Sequence, residues 1–321
     1  MAQKLILDVD TGTDDAVALM LAALHPELEL IGATTVNGNV PVDYCTENSL
    51  RVFDHIGIPV PVYEGVSKPI ERDDFPIPRG DIQSSNAVHG GYLDIPPSRS
   101  TKQATDAIDF LIDTYRAATD EIILVPVGPL SNIATALRKE PRLKDLIPRL
   151  VIMGGANRYG NVTPRAEFNV WADPEAARVV IGSGIRHITL VPLDATHQAL
   201  VSLDDCAALR ALGTPAGDAA ATFTERRIHG YDTTQPMKRL KAAPVHDALA
   251  VAAIVDPSVI TTHHLHVDVE TKGELTVGET VVDTNFRSRQ EPNVHVALDA
   301  DERKFVAMLL ETFARTPPVH T

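Results

Sequence analysis

"LILDVDTGTDDAVALMLAAL", residues 5–24, sets Asp8, Asp10, Asp14 and Asp15 between two strongly apolar runs. The first run has the length and branched content of a buried strand, and the second reads as a buried helix. A strand, a tight turn and a helix in that order open an α/β sheet, in which ligands collect beyond the carboxyl ends of the strands. Asp10, Asp14 and Asp15 then surround one strand-to-helix turn, with Gly12 supplying the bend. Asp8 shares the strand face of Asp10 but sits one pleat deeper.

The same alternation continues outward from this stretch. Apolar runs at 4–9, 28–35, 60–63, 121–127, 149–153 and 187–191 read as strands, separated by amphipathic patterns such as 14–25, 41–57 and 103–118. This is the signature of a mostly parallel α/β sheet flanked by helices. Beyond residue 200 the pattern changes to helices at 203–212, 219–228 and 246–255, a strand-like run at 276–284 and a closing helix at 300–314. Residues 64–100, rich in proline and charge, read as a long irregular loop, a type usually functional or disordered. Nothing divides the chain, so a single domain spanning 1–321 is expected.

Composition narrows the partners. A formal charge of −14 over 321 residues disfavours nucleic acid and anionic membrane surfaces. Cys45 and Cys206 lack metal-ligand spacing and form no disulfide framework. The opening residues show no signal-peptide core, and no apolar run has the ~18–20 residues of a membrane span. A soluble cytoplasmic protein is the expectation.

Helix capping explains one of the clustered acids well and three poorly. Two charges ~4 Å apart repel by ~4 kcal/mol at an effective dielectric near 20, whereas a favourable helix dipole returns only ~0.3–1 kcal/mol per group. Protons or a bound cation must restore the balance, and hard oxygen ligands select Ca²⁺ or Mg²⁺. The spacing is not that of an EF-hand, because Gly12 occupies loop position five and the closing Glu is absent. A haloacid-dehalogenase-like phosphatase also ends its first strand in paired aspartates, but Gly12 stands where its Thr belongs.

Four further segments fall on the same sheet edge. "TTVNGN" (34–39) brings Asn39, and the turn in "ILVPVGPLSN" (123–132) frees backbone carbonyls that could face a cation. "GNVTPRAEFNVWADPEAA" (160–177) carries Asn161, Glu167 and Asn169, a set suited to recognising hydroxyl groups. "APVHDALAVAAIVD" (243–256) opens an apolar helix with His246 and Asp247, adding a group that titrates near neutrality. The histidines at 263–266 have no accompanying carboxylate and read as structural.

Together with "MGGA" (153–156) and "VETKGELTVGETVVD" (269–283), these segments resemble, in order and spacing, the inosine-uridine preferring nucleoside hydrolase family. The resemblance implies a single Rossmann-like α/β domain with an open, mostly parallel sheet and Ca²⁺ at the pocket floor, held by Asp10, Asp15, the carbonyl of Val127 and Asp247. It places Asp14, Asn39, Asn161, Glu167, Asn169 and Asp247 on the ribose, with Met153 beside it and His89 flanking the base. Asp10 becomes the general base for water and His246 the group that protonates the leaving base. His246 directly before the last ligand also resembles the pyrimidine-accepting branch, and a homodimer or homotetramer is implied. The loop "VHGGYLD" (88–94) departs from the family pattern, and 226–244, with Tyr231, aligns to no assigned role. A metal-dependent phosphohydrolase and a non-catalytic nucleoside- or sugar-binding protein remain the alternatives.

Overall fold

The structure, a computed structural model, describes residues 2–76 and 88–315; part of the expected 64–100 loop lies outside them. Its strands are β1 (Gln3–Val9), β2 (Leu28–Thr35), β3 (Val62–Glu64), β4 (Ile122–Pro126), β5 (Arg149–Met153), β6 (Ile188–Val191), β7 (Leu200–Ser202), β8 (Ala242–Pro244), β9 (Ile260–Leu265), β10 (Val267–Val269), β11 (Thr280–Val282) and β12 (Val294–Ala300). Eight of them form one sheet in the order β3-β2-β1-β4-β5-β6-β12-β9. All neighbours run parallel except β9, which is antiparallel to β12.

The six expected strands make up the first part of that order. The chain winds outward from β1 through β2 and β3, then returns to the other side of β1 with β4. Above the carboxyl ends of β1 and β4 a crevice must therefore open, because the loops leave in opposite directions. Both faces are covered by apolar clusters. One packs the helices Thr13–Leu24 and His246–Val255 on the sheet, and the other packs Ala107–Ala117, Ser131–Lys139 and Pro174–Ile181.

The C-terminal half differs from the expectation. The run at 276–284 yields only the short β11, paired with β10 in a separate ribbon. The eighth and seventh positions of the main sheet go instead to β9 and β12, neither of which stood out as a strand. β9 is exposed at four of its six positions, so its "ITTHHL" lacks the apolar run or clean alternation that marks a strand. His264 sits there opposite His295, the two rings stacked 4.4 Å apart. The expected helix at 219–228 is in fact Pro215–Thr234.

Candidate active site

Asp10 follows β1, and Thr13–Leu24 begins three residues later. The turn between them is held by its own acids. Asp15 accepts from the backbone N–H of Asp10 (3.0 Å) through Oδ1 and from that of Gly12 (2.9 Å) through Oδ2, so it does cap the helix. The Asn39 side-chain amide also donates to Asp15 Oδ2 (3.1 Å), and the Asn39 backbone N–H donates to Asp10 Oδ2 (2.6 Å). Close packing requires glycines here: a Cβ on Gly38 would collide with the Asp10 carboxylate, and one on Gly12 with the His89 ring.

The acids are nearly dry. Asp8, Asp10, Asp14, Asp15 and Asp247 are all at most 4% exposed. Burial first, then the neighbouring charges, pushes Asp10, Asp15 and Asp247 up from the ordinary carboxylate range. Burial also raises Asp8, to about 7, against hydrogen bonds from Asn132 and Thr34. Asp14 Oδ1 lacks hydrogen-bond geometry but has the Arg227 guanidinium 2.7 Å away, whereas Asp8 Oδ2 and Asp10 Oδ1 are buried with no hydrogen bond. Such atoms cost ~1–3 kcal/mol each unless something compensates them.

Asp14, Asp15 and Asp247 each bring an oxygen within 4.8 Å of the others. Hard carboxylate oxygens, buried, crowded and partly orphaned, fit a divalent cation of the Ca²⁺ or Mg²⁺ type. Among the described residues this triangle includes Asp14, which the resemblance assigns to ribose, and omits Asp10. Val127 lines the pocket together with Asp14 and Asp247, and its carbonyl accepts from the Asn169 amide at 2.7 Å.

Over this floor lies a pocket with about 670 Å³ of atom-free space, its open mouth included, a size that suits a small molecule. Asp14, Asn39, Val127, Met153 and Asp247 line it, as do Asn161, Glu167 and Asn169. Glu167 caps the short helix Phe168–Ala172. Its Oε1 accepts from Asn169 N–H (3.0 Å), and its Oε2 from Gly155 (2.7 Å) and Val170 (3.3 Å). Burial nonetheless raises its carboxyl to about 7. Asn161 Oδ1 accepts from Phe168 N–H (2.9 Å), which pins the loop. Because both Glu167 oxygens are acceptors, Glu167→Gln turns an amide N–H₂ toward a backbone donor. We expect a loss of ~1–3 kcal/mol, read as a melting temperature several degrees lower; an unchanged value would show that these bonds do not hold the loop.

His246 and His89 also line the pocket. His89 is close to the Asp14 carboxylate (3.8 Å), and burial lowers its pKa to about 4. Both nitrogens of His246 are engaged, Nδ1 by the Thr196 hydroxyl (2.7 Å) and Nε2 by the Tyr231 hydroxyl (2.6 Å). Burial, reinforced by the Arg227 charge, drives this imidazole well below its ordinary value, so it is neutral. Tyr231 and Arg227, which line the pocket, and Thr196, which holds His246 from behind it, were not assigned by local sequence patterns. Their one legible signal was the four-residue spacing of Arg227 and Tyr231 on a helix.

A doubly wound sheet with an acid-floored cleft at its switch point, walled by amides and hydroxyls, defines an α/β enzyme built for a small hydroxyl-bearing substrate. The chain belongs to the inosine-uridine preferring nucleoside hydrolase family, whose model matches residues 5–307. It is similar to the pyrimidine-specific ribonucleoside hydrolase RihB of Escherichia coli (strain SE11), 38% identical over 309 residues and 96% of each chain. Among solved structures it resembles the purine-preferring ribonucleoside hydrolase from Gardnerella vaginalis, with a TM-score of 0.88, 36% identity and coverage of 97% of this chain and 98% of that one. A plant nucleoside hydrolase, the PpNRh1 enzyme, superposes with a TM-score of 0.85 at 28% identity, over 99% of this chain and all of that one. The protein is thus an N-glycosyl hydrolase acting on ribonucleosides, and the phosphohydrolase alternative falls. Among the described residues no helix is long and apolar enough to cross a membrane.

Proposed function

We propose that this hydrolase is Ca²⁺-dependent, acts by direct displacement with Asp10 as general base, and accepts pyrimidine nucleosides, inosine or both. The observation that carries the reading is the buried, partly orphaned acid cluster directly beneath a pocket of amides and hydroxyls. Asp10, Asp15, Asp247 and the Val127 carbonyl would hold the ion. When bound, it supplies Lewis acidity and a fixed positive charge at the floor.

The remaining work falls to the chain's own residues. The Asn39 backbone N–H fixes Asp10 through Oδ2, leaving Oδ1 to take the proton of the attacking water. Asp14, Asn39, Asn161, Glu167, Asn169 and Asp247 hold the ribose, with Met153 packed beside it. Their clustered negative charge favours the cation developing at C1′. Inversion at that carbon follows, giving ribose and free base.

The leaving base needs a proton, and His246, held neutral, would pass one on from Nε2 while Nδ1 takes one up, the proton being made good from solvent, so that no imidazolate is left behind. With Thr196 donating to Nδ1, the ring N–H points at Tyr231, whose own O–H is then free to serve the base. His89 flanks the base from the other side. His246→Ala is expected to lower kcat/KM for inosine and uridine by ~10²–10⁴-fold while largely sparing a nitrophenyl riboside, whose leaving group needs no proton. Equal losses on both substrates would contradict this role.

The pyrimidine-specific name of the E. coli relative supports the base preference, as does His246 beside Asp247. Ribose release from the common ribonucleosides, without added phosphate and with and without calcium, tests the whole proposal. Release from neither uridine nor inosine, or full rates in a chelator, would overturn it. The homodimer or homotetramer implied by the resemblance and the cytoplasmic location remain parts of the same reading.

A further inference from the structure

Asp14, Asp15 and Asp247 stand close enough to compete for one cation, yet a sugar diol needs a carboxylate of its own. The three are not equivalent. Asp15 is tied through both oxygens to donors of its own turn and Asn39. Asp14 instead points Oδ1 at Arg227, whose Nη1 lies 2.7 Å away, an ion pair without hydrogen-bond geometry at that oxygen.

Arg227 lines the pocket yet is only 1% exposed, and it is fastened on three sides. Its Nε donates to the Pro244 carbonyl (2.9 Å), two residues before His246, and its Nη1 to the Thr13 hydroxyl (3.2 Å), beside Asp14. Its Cζ lies 5.6 Å from the centre of the Tyr231 ring. The guanidinium therefore has a fixed place between the helix that carries Asp14 and Asp15 and the helix that carries Asp247.

We propose that Arg227 is a positioning residue that withholds Asp14 from the cation and reserves it for the sugar. Drawing Asp14 into the ion's coordination would separate a buried pair and strand the guanidinium without its partner, which is strongly unfavourable. Asp14 is thereby kept facing the pocket, and the acids left for the ion are those that Arg227 does not contact. A fixed positive charge beside the floor also opposes the cation, so the same side chain limits how tightly the ion is held. The inference rests on the calcium reading above.

The two effects have opposite signs in one variant, which a general loosening of the pocket does not produce. Calorimetric titration of the full chain with calcium alone, and with ribose in saturating calcium, reads both. In Arg227→Gln, calcium is expected to bind about tenfold tighter, ~1.4 kcal/mol, and ribose about tenfold weaker. Arg227→Lys keeps the charge and loses the fixed fork, so calcium affinity should stay within ~2-fold of wild type while ribose weakens several-fold. Weakening of both ligands in either variant, or unchanged ribose affinity in Arg227→Lys, overturns the proposal. If the Gln variant does not fold, the Lys variant decides alone. A wild-type chain that binds no calcium defeats the cation reading itself, which is a different failure from equal calcium binding by wild type and Arg227→Gln.

Discussion

Asp10→Asn at saturating calcium is expected to cut turnover by ~10²–10⁴-fold, the usual worth of a positioned general base, with ribose affinity within a few-fold of wild type. The substitution preserves shape: the amide oxygen can keep the bond from Asn39 N–H, and the amide nitrogen takes the position of Oδ1. What disappears is the basicity of the oxygen that has no other partner. Pocket-wall residues that hold the sugar are untouched, so the loss belongs to kcat. Single-turnover rates with uridine or inosine, together with ribose product inhibition, separate the two quantities. Near-normal turnover removes Asp10 from the mechanism, and a large rise in the ribose inhibition constant reassigns it to binding.

Removing calcium should abolish turnover and also make the fold pH-sensitive in a particular window. Asp8 and Glu167 have folded pKa values of about 7, and Asp10, Asp15 and Asp247 are also displaced upward. An acid with a raised folded pKa keeps its proton in the native state after the unfolded chain has lost it. Stability therefore falls as pH rises through that interval. The buried histidines act with the opposite sign. His89 and His197 are lowered to about 4 and His246 lies well below its ordinary 6.5, so their contribution rises with pH and is nearly complete by about pH 7.

Above that point only the acids still titrate. In chelator, the melting temperature should drop between pH 7 and 8. Calcium at ~1,000 times its dissociation constant adds ~4 kcal/mol, on the order of 5–10 °C for a chain of this size, and flattens the slope. Differential scanning calorimetry with and without calcium measures both. A melting temperature that rises across this window in chelator and ignores calcium would rule out an ion among these acids.

How much of this was legible in the sequence depends on the range of the interactions concerned. Strand and helix periodicity exposed β1 to β6, because each is a local apolar pattern with local punctuation. The acids of 8–15 were conspicuous because local repulsion demanded an explanation, and Asn39, Asn161, Glu167, Asn169 and Asp247 followed from their place after strands or at a helix start. The structure brings Asp14, Asn39, Asn161, Glu167, Asn169 and Asp247 to one pocket, with Asp10 and Asp15 in the turn beneath it. β9 and β12 escaped because a strand at or near a sheet edge needs no continuous apolar run, and their exposed residues dilute the pattern.

By itself, then, the sequence determined a doubly wound α/β sheet, an acid-lined strand-to-helix turn and the segments that gather above it. Only the tertiary structure decided which charges meet. Arg227 reads locally as one of two arginines on a helix, and it becomes the partner of Asp14 only when that helix packs beside a turn 214 positions away from it, at Thr13. Thr196 and Tyr231 likewise acquire meaning from the imidazole they share. The physical reason is that periodicity reports which face of an element leaves water, whereas the identity of a buried polar partner depends on how separate elements pack. Burial makes that partner matter most, since a low-dielectric interior magnifies every charge left unmatched.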